Sequence, residues 1–263
     1  MVNRIVKNLG VFKEHVKINV KTMAEYRANF TIQLLTMIVN DIIWIFFWGL
    51  FFTRFDKING WGFNEVAMLF GLLCFSYGIS GMFFENRKKI SEIINEGQLD
   101  YYLTLPVNPL IHLLISKMGA FAAGDTIFGA VILAIFTPPQ LYPLILFFGV
   151  TAIIWLVSME VIAGTLSFFF GNTQRLSKAI RDSTLAFGMY PIGMFDDSVK
   201  IILMTIIPVG FISALPIELI WTFSIEKFVM LCSATLVVAI IAVAFFFFGL
   251  KYYESGNLLY TRI

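Results

Sequence analysis

Charge is what this sequence has least of. Asp, Glu, Lys and Arg make up 14% of its 263 residues, against 59% that are hydrophobic, whereas a soluble domain carries roughly 25% charged residues. That is too little polar surface for water, and the mean hydropathy of +0.83 makes a bilayer the natural solvent. Cysteine is equally scarce: Cys74 and Cys232 both sit inside apolar runs, which excludes a disulfide scaffold and reads as buried structural thiols. The only histidines, His15 and His112, are far apart in the chain, with no H-E-x-x-H and no metal-ligand spacing. No glycine is followed by lysine, so the G-x-x-x-x-G-K-[ST] phosphate loop is absent and any ATP must be hydrolysed on another chain. A net charge of +2 is too small to suggest nucleic acid. Residues 1–29 lack the apolar core of a signal peptide. Gly78-Ile79-Ser80-Gly81 falls one residue short of a G-x-S-x-G elbow and reads as close helix packing. No catalytic motif remains.

Long apolar runs are what the chain does have. Ile42 to Trp48 shows no alternation, which argues against a barrel strand, and a spanning helix needs ~20 apolar residues. The expected architecture is all-α and polytopic, a single transmembrane domain over residues 1–263 with six spans. They cover about Phe30 to Phe52, Trp61 to Phe84, Pro109 to Phe136 and Tyr142 to Phe170; the fifth leaves the basic segment Gly171–Asp182 and ends near Phe195, and the last is Glu226 to Leu250. Asn108 suits an N-cap, with Pro109 in the first turn, and Asp196-Asp197 suits another helix start.

Residues 1–29 place Val2, Ile5, Val6, Leu9, Phe12, Val16, Val20 and Met23 on one face and Lys13, Lys17 and Lys21 on another. This predicts an amphipathic helix on the cytoplasmic membrane surface; packing on a soluble partner is the alternative. Within residues 196–225, Ser198 to Leu215 is apolar but short and is broken at Pro208 and Gly210. It predicts a pair of half-helices entering from outside and returning, since bare backbone at that depth needs shelter. Lys and Arg gather in the N-terminal segment, residues 85–107, the basic segment and the tail, which puts both termini in the cytoplasm; a complete span at Ser198–Leu215 would put the tail outside. Trp48, Trp61 and Trp221 fall near the outer boundary, Tyr252 and Tyr253 near the inner.

The polar exceptions carry the functional expectations. Residues 85–107 contain a short amphipathic helix with Ile90, Ile93 and Ile94 as its apolar edge and Gly97 as its stop, followed by Leu99, Tyr102 and Leu103. Such a ridge with charged flanks fits a groove on a soluble partner, or else lies on the membrane. Arg175, Lys178 and Arg181 share one helix face. Asp41, Lys117, Asp125 and Glu160 lie deep in spans, where a charge costs ~2.5–3.5 kcal/mol. Lys117 and Glu160 fall at comparable depth on consecutive spans and are expected to pair, unless Lys117 snorkels. Asp41 and Asp125 line a substrate path or tie spans together.

Glu96-Gly97-Gln98-Leu99-Asp100-Tyr101-Tyr102-Leu103-Thr104-Leu105-Pro106 resembles the G-x-L-D-x-x-L-x-x-P signature of type-2 ATP-binding-cassette exporter permeases. Pro208-Val209-Gly210-Phe211 and Pro216 resemble that family's P-x-x-F…P hairpin, and the order of elements agrees along nearly the whole chain. The resemblance implies a permease of the bacterial cytoplasmic membrane that pairs with a second permease, identical or related, and with two cassette ATPase subunits. ATP and magnesium would be held by those subunits and no cofactor by this chain. It also implies a coupling region at Arg87, Lys88, Glu92, Ile93, Asn95, Glu96, Gly97, Leu99 and Asp100. The E-A-A-x-x-x-G importer loop fits less well: Glu92 to Gly97 is one residue short. Two rivals remain, a proton-coupled secondary transporter using Asp41, Asp125 or Glu160, and a membrane scaffold without transport.

Overall fold

A computed structural model of the chain describes residues 2–254; Met1 and the tail from 255 on, with Arg262, lie outside the described residues, as do the side chains of Val2, Ile5, Val6, Leu9 and Met23. Among the described residues there is no strand, only the isolated bridge Ile58–Trp61. The helices run α1 Val2–Glu25, α2 Arg27–Phe52, α3 Phe63–Phe83, α4 Ile90–Asn95, α5 Leu99–Leu103, α6 Pro109–Ile115, α7 Ala123–Phe136, α8 Tyr142–Thr165, α9 Ser167–Phe170, α10 Gln174–Gly188, α11 Asp197–Thr205, α12 Ala214–Trp221 and α13 Ile225–Gly249. Four helical stretches among the described residues are long and apolar enough to cross a membrane: Arg27–Phe52, Phe63–Phe83, Pro139–Phe170 and Ile225–Tyr252.

The other two expected spans take a different form. The third is divided: α6 is seven residues long, the chain leaves the helix at Ser116, and α7 adds 14 residues. Asn108 caps α6 as expected, its side chain accepting from the Ile111 amide at 3.2 Å, with Pro109 in the first turn. The fifth is α10, whose 15 residues are fewer than the ~20 of a full crossing and which carries a polar face. It nevertheless joins the two ends of the bundle. Thr173, just before α10, touches Ser91 and Ser167, while Gly193, just after it, accepts from the Asn59 side chain at 2.6 Å. Beyond it, Asp196 caps α11 by accepting from the Val199 amide at 2.9 Å. The chain then breaks at Pro208 and passes through a 3-10 turn, Val209–Phe211, into the buried α12. Both α11 and α12 are far shorter than the ~20 residues of a full crossing.

Helix α3 is the hub. It packs on α2, α7 and α8, and its buried residues run all round it, as expected of a helix in the middle of a bundle. Small residues bring α7 onto it: a Cβ on Gly81 would stand 2.7 Å from that of Ala122, and one on Gly129 would stand 2.6 Å from the Gly71 carbonyl. The Gly78–Gly81 stretch is thus a packing seam, as its sequence suggests. On the other side, Trp155 of α8 stacks on Phe211 at 5.0 Å and donates its indole N–H to Thr235 of α13 at 3.0 Å. By contrast α2 and most of α13 present apolar side chains outward, including Ile43, Phe46, Leu236 and Ile240, which suits contact with lipid chains.

Candidate coupling site

The segment between α3 and α6 folds back under the helices rather than standing away from them. Ile90, Ile93, Ile94 and Leu99 are buried with Leu110, Leu113 and Leu114 of α6, Val161 of α8, and Ala242 and Phe246 of α13. Gly164 of α8 makes this possible, because a Cβ there would lie 2.5 Å from the Ile90 Cβ. The apolar edge expected to enter a partner's groove is therefore consumed by the chain's own core. Burying four large aliphatic side chains is worth roughly 1.5–3 kcal/mol each, more than a transient partner would return. Ile93 and Leu99 are thus internal supports. Gly97 ends α4 with φ +71°, the left-handed conformation a C-terminal glycine supplies.

Above this apolar floor lies a set of buried charges. A 3-10 turn, Glu85–Lys89, follows α3 and points Arg87 into the bundle, where the residue is 1% exposed. Its Nη1 donates to the Ser80 carbonyl at 3.0 Å, and its guanidinium carbon lies 5.2 Å from the centre of the Tyr77 ring. Arg87 Nε stands 3.4 Å from Glu160 Oε2 and Arg87 Nη1 3.9 Å from Glu85 Oε2. These are ion pairs by distance that are not aligned as hydrogen bonds, and Arg87 Nη2 has no hydrogen-bond partner. Lys88 Nζ meets Glu85 Oε2 at 3.0 Å and lies over the Phe121 ring at 4.8 Å. Burial, and then the Arg87 charge, pull the Lys88 ammonium below its usual pKa, against the opposing pull of Glu85. Arg87 and Lys88 face the two carboxylates Glu85 and Glu160, and Arg181 of α10 adds a third positive charge beside Glu160 and Tyr77. Opposite charges in contact are what let such groups persist out of water.

Glu160 therefore belongs to Arg87. The pairing expected with Lys117 does not form: Lys117 is exposed, and its link to the cluster is its carbonyl, which accepts from the Glu85 amide at 3.2 Å. Counting depth along consecutive helices missed this because the divided third span carries Lys117 outward. Asp41 and Asp125 are both buried, at 5% and 7% exposure, and Asp41 is close enough to feel the charge of Asp125, which makes them a separate pair between α2 and α7.

The remaining expected residues sit at the rim. Glu92 pairs with Lys89 at 3.6 Å and lies 3.5 Å from the Gln174 side-chain nitrogen. Asn95 donates to Ser91 at 3.4 Å, and Glu96 accepts from Gln98 at 2.6 Å. Asp100 places its charge beside Tyr253; burial first, then that carboxylate, push the phenol up to about 12. Outward-facing side chains here are Glu96, Gln98, Tyr101, Leu103 and Leu105.

Two contacts had no readable sequence signal. Buried hydroxyls of Ser91, Ser167 and Thr173, 2.6–3.3 Å apart, tie α4 to α9 and the start of α10. Asn86 bonds the Leu113 carbonyl at 3.1 Å and the hydroxyls of Ser116 and Tyr102 at 2.7 and 3.2 Å, fastening the 3-10 turn to α5 and α6. Each residue is an ordinary small polar one, and only the fold brings them together.

Residues 38–256, from within α2 to past α13, match the family model described as ABC-2 family transporter protein. The chain belongs to the ABC-2 transporter family. The match supports a transmembrane permease of the ABC-2 type and takes in the whole charged cluster, the G-x-L-D segment and the Pro208 break. It begins beyond α1. Permeases of this family generally work with ATP-binding-cassette subunits. No curated protein matches the chain.

Proposed function

We propose that this ABC-2 permease is the membrane half of an ATP-driven exporter that works by alternating access. Separate cassette ATPases hold the ATP and magnesium, and a second permease, identical or related, completes the pathway. The chain crosses the bacterial cytoplasmic membrane six times in this reading, α10 being the fifth crossing and α11–α12 an outer re-entrant pair, with both termini in the cytoplasm. An amphiphilic or drug-like cargo fits the apolar bundle. This chain itself does no catalysis.

One observation carries the reading. The turn Glu85–Lys89 is locked into the bundle by Arg87, which holds Ser80 of α3 and Glu160 of α8 together. A push on residues 85–105 from below therefore moves two central helices as one body. The partner-facing surface includes the exposed Glu96, Gln98, Tyr101, Leu103 and Leu105, with Gln174 of α10 beside Glu92. Co-expression with the candidate cassette ATPase tests this: the two are expected to co-purify, and vesicles holding both are expected to show ATP-dependent export. Export by the permease alone would overturn it.

A second reading has its own observation. Asp41 Oδ2 is buried without a hydrogen-bond partner, as a proton-binding carboxylate in a secondary transporter would be. Transport by the purified chain down an imposed proton gradient, lost in Asp41→Asn, would favour that reading.

A further inference from the structure

The fold brings the two histidines together. His15 of α1 and His112 of α6 have ring centroids 5.6 Å apart, where α1 rests on the bundle. His112 is 1% exposed; neither ring nitrogen makes an aligned hydrogen bond, and the Tyr102 backbone lies within reach of the ring. The rest of its surroundings are aromatic: Tyr101 and Tyr102 of α5 at 5.6 and 5.1 Å. One end of the joint is held by a hydrogen bond, as the Met118 amide donates to Asn19 of α1 at 3.4 Å.

We propose that His15 and His112 form an acid-sensitive latch: both neutral, they let α1 dock on α6, and their protonation drives α1 off. Imidazole is the side chain whose ordinary pKa, ~6.5, places its charge change between pH 5 and 8. Two imidazoliums at this spacing repel, His112 being buried and His15 half-buried. Among the described residues no carboxylate charge acts on either ring. The phenols of Tyr101 and Tyr102 stay uncharged in this range. Asn86, from the 3-10 turn below, is neutral and already bonded to Tyr102. Glu14 lines an open pocket with His15 but pairs with Lys17 at 4.0 Å. Asp100 of α5 lies against Tyr253 and Glu85 of the 3-10 turn against Lys88, and Lys117, two residues past α6, adds positive charge.

Burial also holds His15 below its usual pKa. The docked state then binds protons less readily than the undocked one, so docking is at full strength above the undocked pKa and weakens as pH falls through the window beneath it. The consequence for the permease is that α1, which leads directly into α2, is released on acidification while the rest of the bundle stays folded. This device is independent of the energy source: it stands whether the chain is ATP-driven or not, and its test requires no transport.

The chain has two histidines, so histidine labelled with 13C gives two resonances in detergent micelles, and each midpoint can be read directly. The expected result is two separated midpoints, with His15→Asn moving that of His112 upward because one positive neighbour is gone. Amide hydrogen exchange along α1, corrected for its intrinsic pH dependence, is expected to rise about tenfold or more between about pH 7.5 and about pH 5. That rise is expected to vanish in His15→Asn. His15 is on the outer helix, so this variant remains informative even if His112→Asn fails to fold. Midpoints that ignore one another, or an α1 exchange that rises equally in wild type and His15→Asn, would overturn the latch.

Discussion

Replacing Glu160 by Gln keeps the shape of the side chain and removes its charge, which leaves Arg87 enclosed with a single carboxylate, Glu85, at 3.9 Å. At 3.4 Å and an effective dielectric of ~20, the lost attraction is ~5 kcal/mol. Arg87 has no route to water, because its side chain is fully covered, so little of that loss can be recovered by solvation. Breaking a buried pair by removing one partner costs ~3–5 kcal/mol, whereas replacing both partners by neutral groups is often near neutral. The expected pattern follows. Glu160→Gln and Arg87→Gln each lose about 3–5 kcal/mol of stability, and the double variant loses less than either, giving a coupling energy of at least ~3 kcal/mol.

Denaturation in mixed micelles measures the three variants against the parent. Exchanging the charges, as Arg87→Glu with Glu160→Arg, is expected to recover part of the stability, and exchanging Lys117 with Glu160 is expected to recover none. If the two single losses simply add, or if each falls below ~1 kcal/mol, the pair does not bind the turn to α8 and the mechanical link fails. Loss of ATPase stimulation in Arg87→Gln, with the ATPase still co-purifying, would place the defect in transmission and not in docking.

Gly164→Ala sets a Cβ against Ile90 and is expected to cost about 1–3 kcal/mol by overpacking, with Ile90→Ala in the same chain restoring part of it; thermal unfolding reads both. On the exposed rim, Tyr101→Ala with Leu103→Ser is expected to leave folding intact and weaken ATPase association by at least about 2 kcal/mol, roughly 30-fold, if these residues anchor the partner; unchanged co-purification would remove them from the docking face. Tyr253 holds its proton more tightly folded than unfolded, so stability is expected to fall as pH rises between about 10 and about 12. Tyr253→Phe is expected to reduce that fall, measured by alkaline unfolding.

What the sequence makes legible is what its local chemistry dictates. Apolar runs mark α2, α3, α8 and α13 because nothing but a bilayer or a bundle core would take them. Caps at Asn108 and Asp196, the stop at Gly97 and the break at Pro208 are equally local, and each stands where its residue type predicts. The interior of the buried charge cluster is different in kind. Lysine and arginine on a short amphipathic segment ordinarily face water, so nothing local distinguishes Arg87 from its neighbours Lys88 and Lys89. Its direction is fixed by Glu160, 73 residues on, and by Gly164, which lets α4 sit on α8.

The same reasoning explains why depth along a helix misled. Rise per residue places Lys117 beside Glu160 only if the third span is one straight helix. The break after Ile115 turns the chain at that depth, moves Lys117 outward and leaves a site that a cation from elsewhere must fill. A buried carboxylate therefore specifies its partner's charge but not its place in the sequence. The two histidines show the complementary case: they read as unrelated until α1 is laid against α6, and their meeting depends on a helix that the apolar runs do not constrain. Charges and imidazoles gain their roles here from the geometry of the breaks between helices, so Ser116–Gly119, the bend between α6 and α7, is where a change of backbone would alter both sites at once. Met118 bonds α1 through its amide and Lys117 receives the Glu85 amide. A proline replacing Met118 removes the first bond and constrains the residue carrying the second. It is expected to loosen α1 and the charged turn together, seen as faster amide exchange in both segments. Faster exchange in one segment alone would show that the latch and the coupling site are mechanically separate.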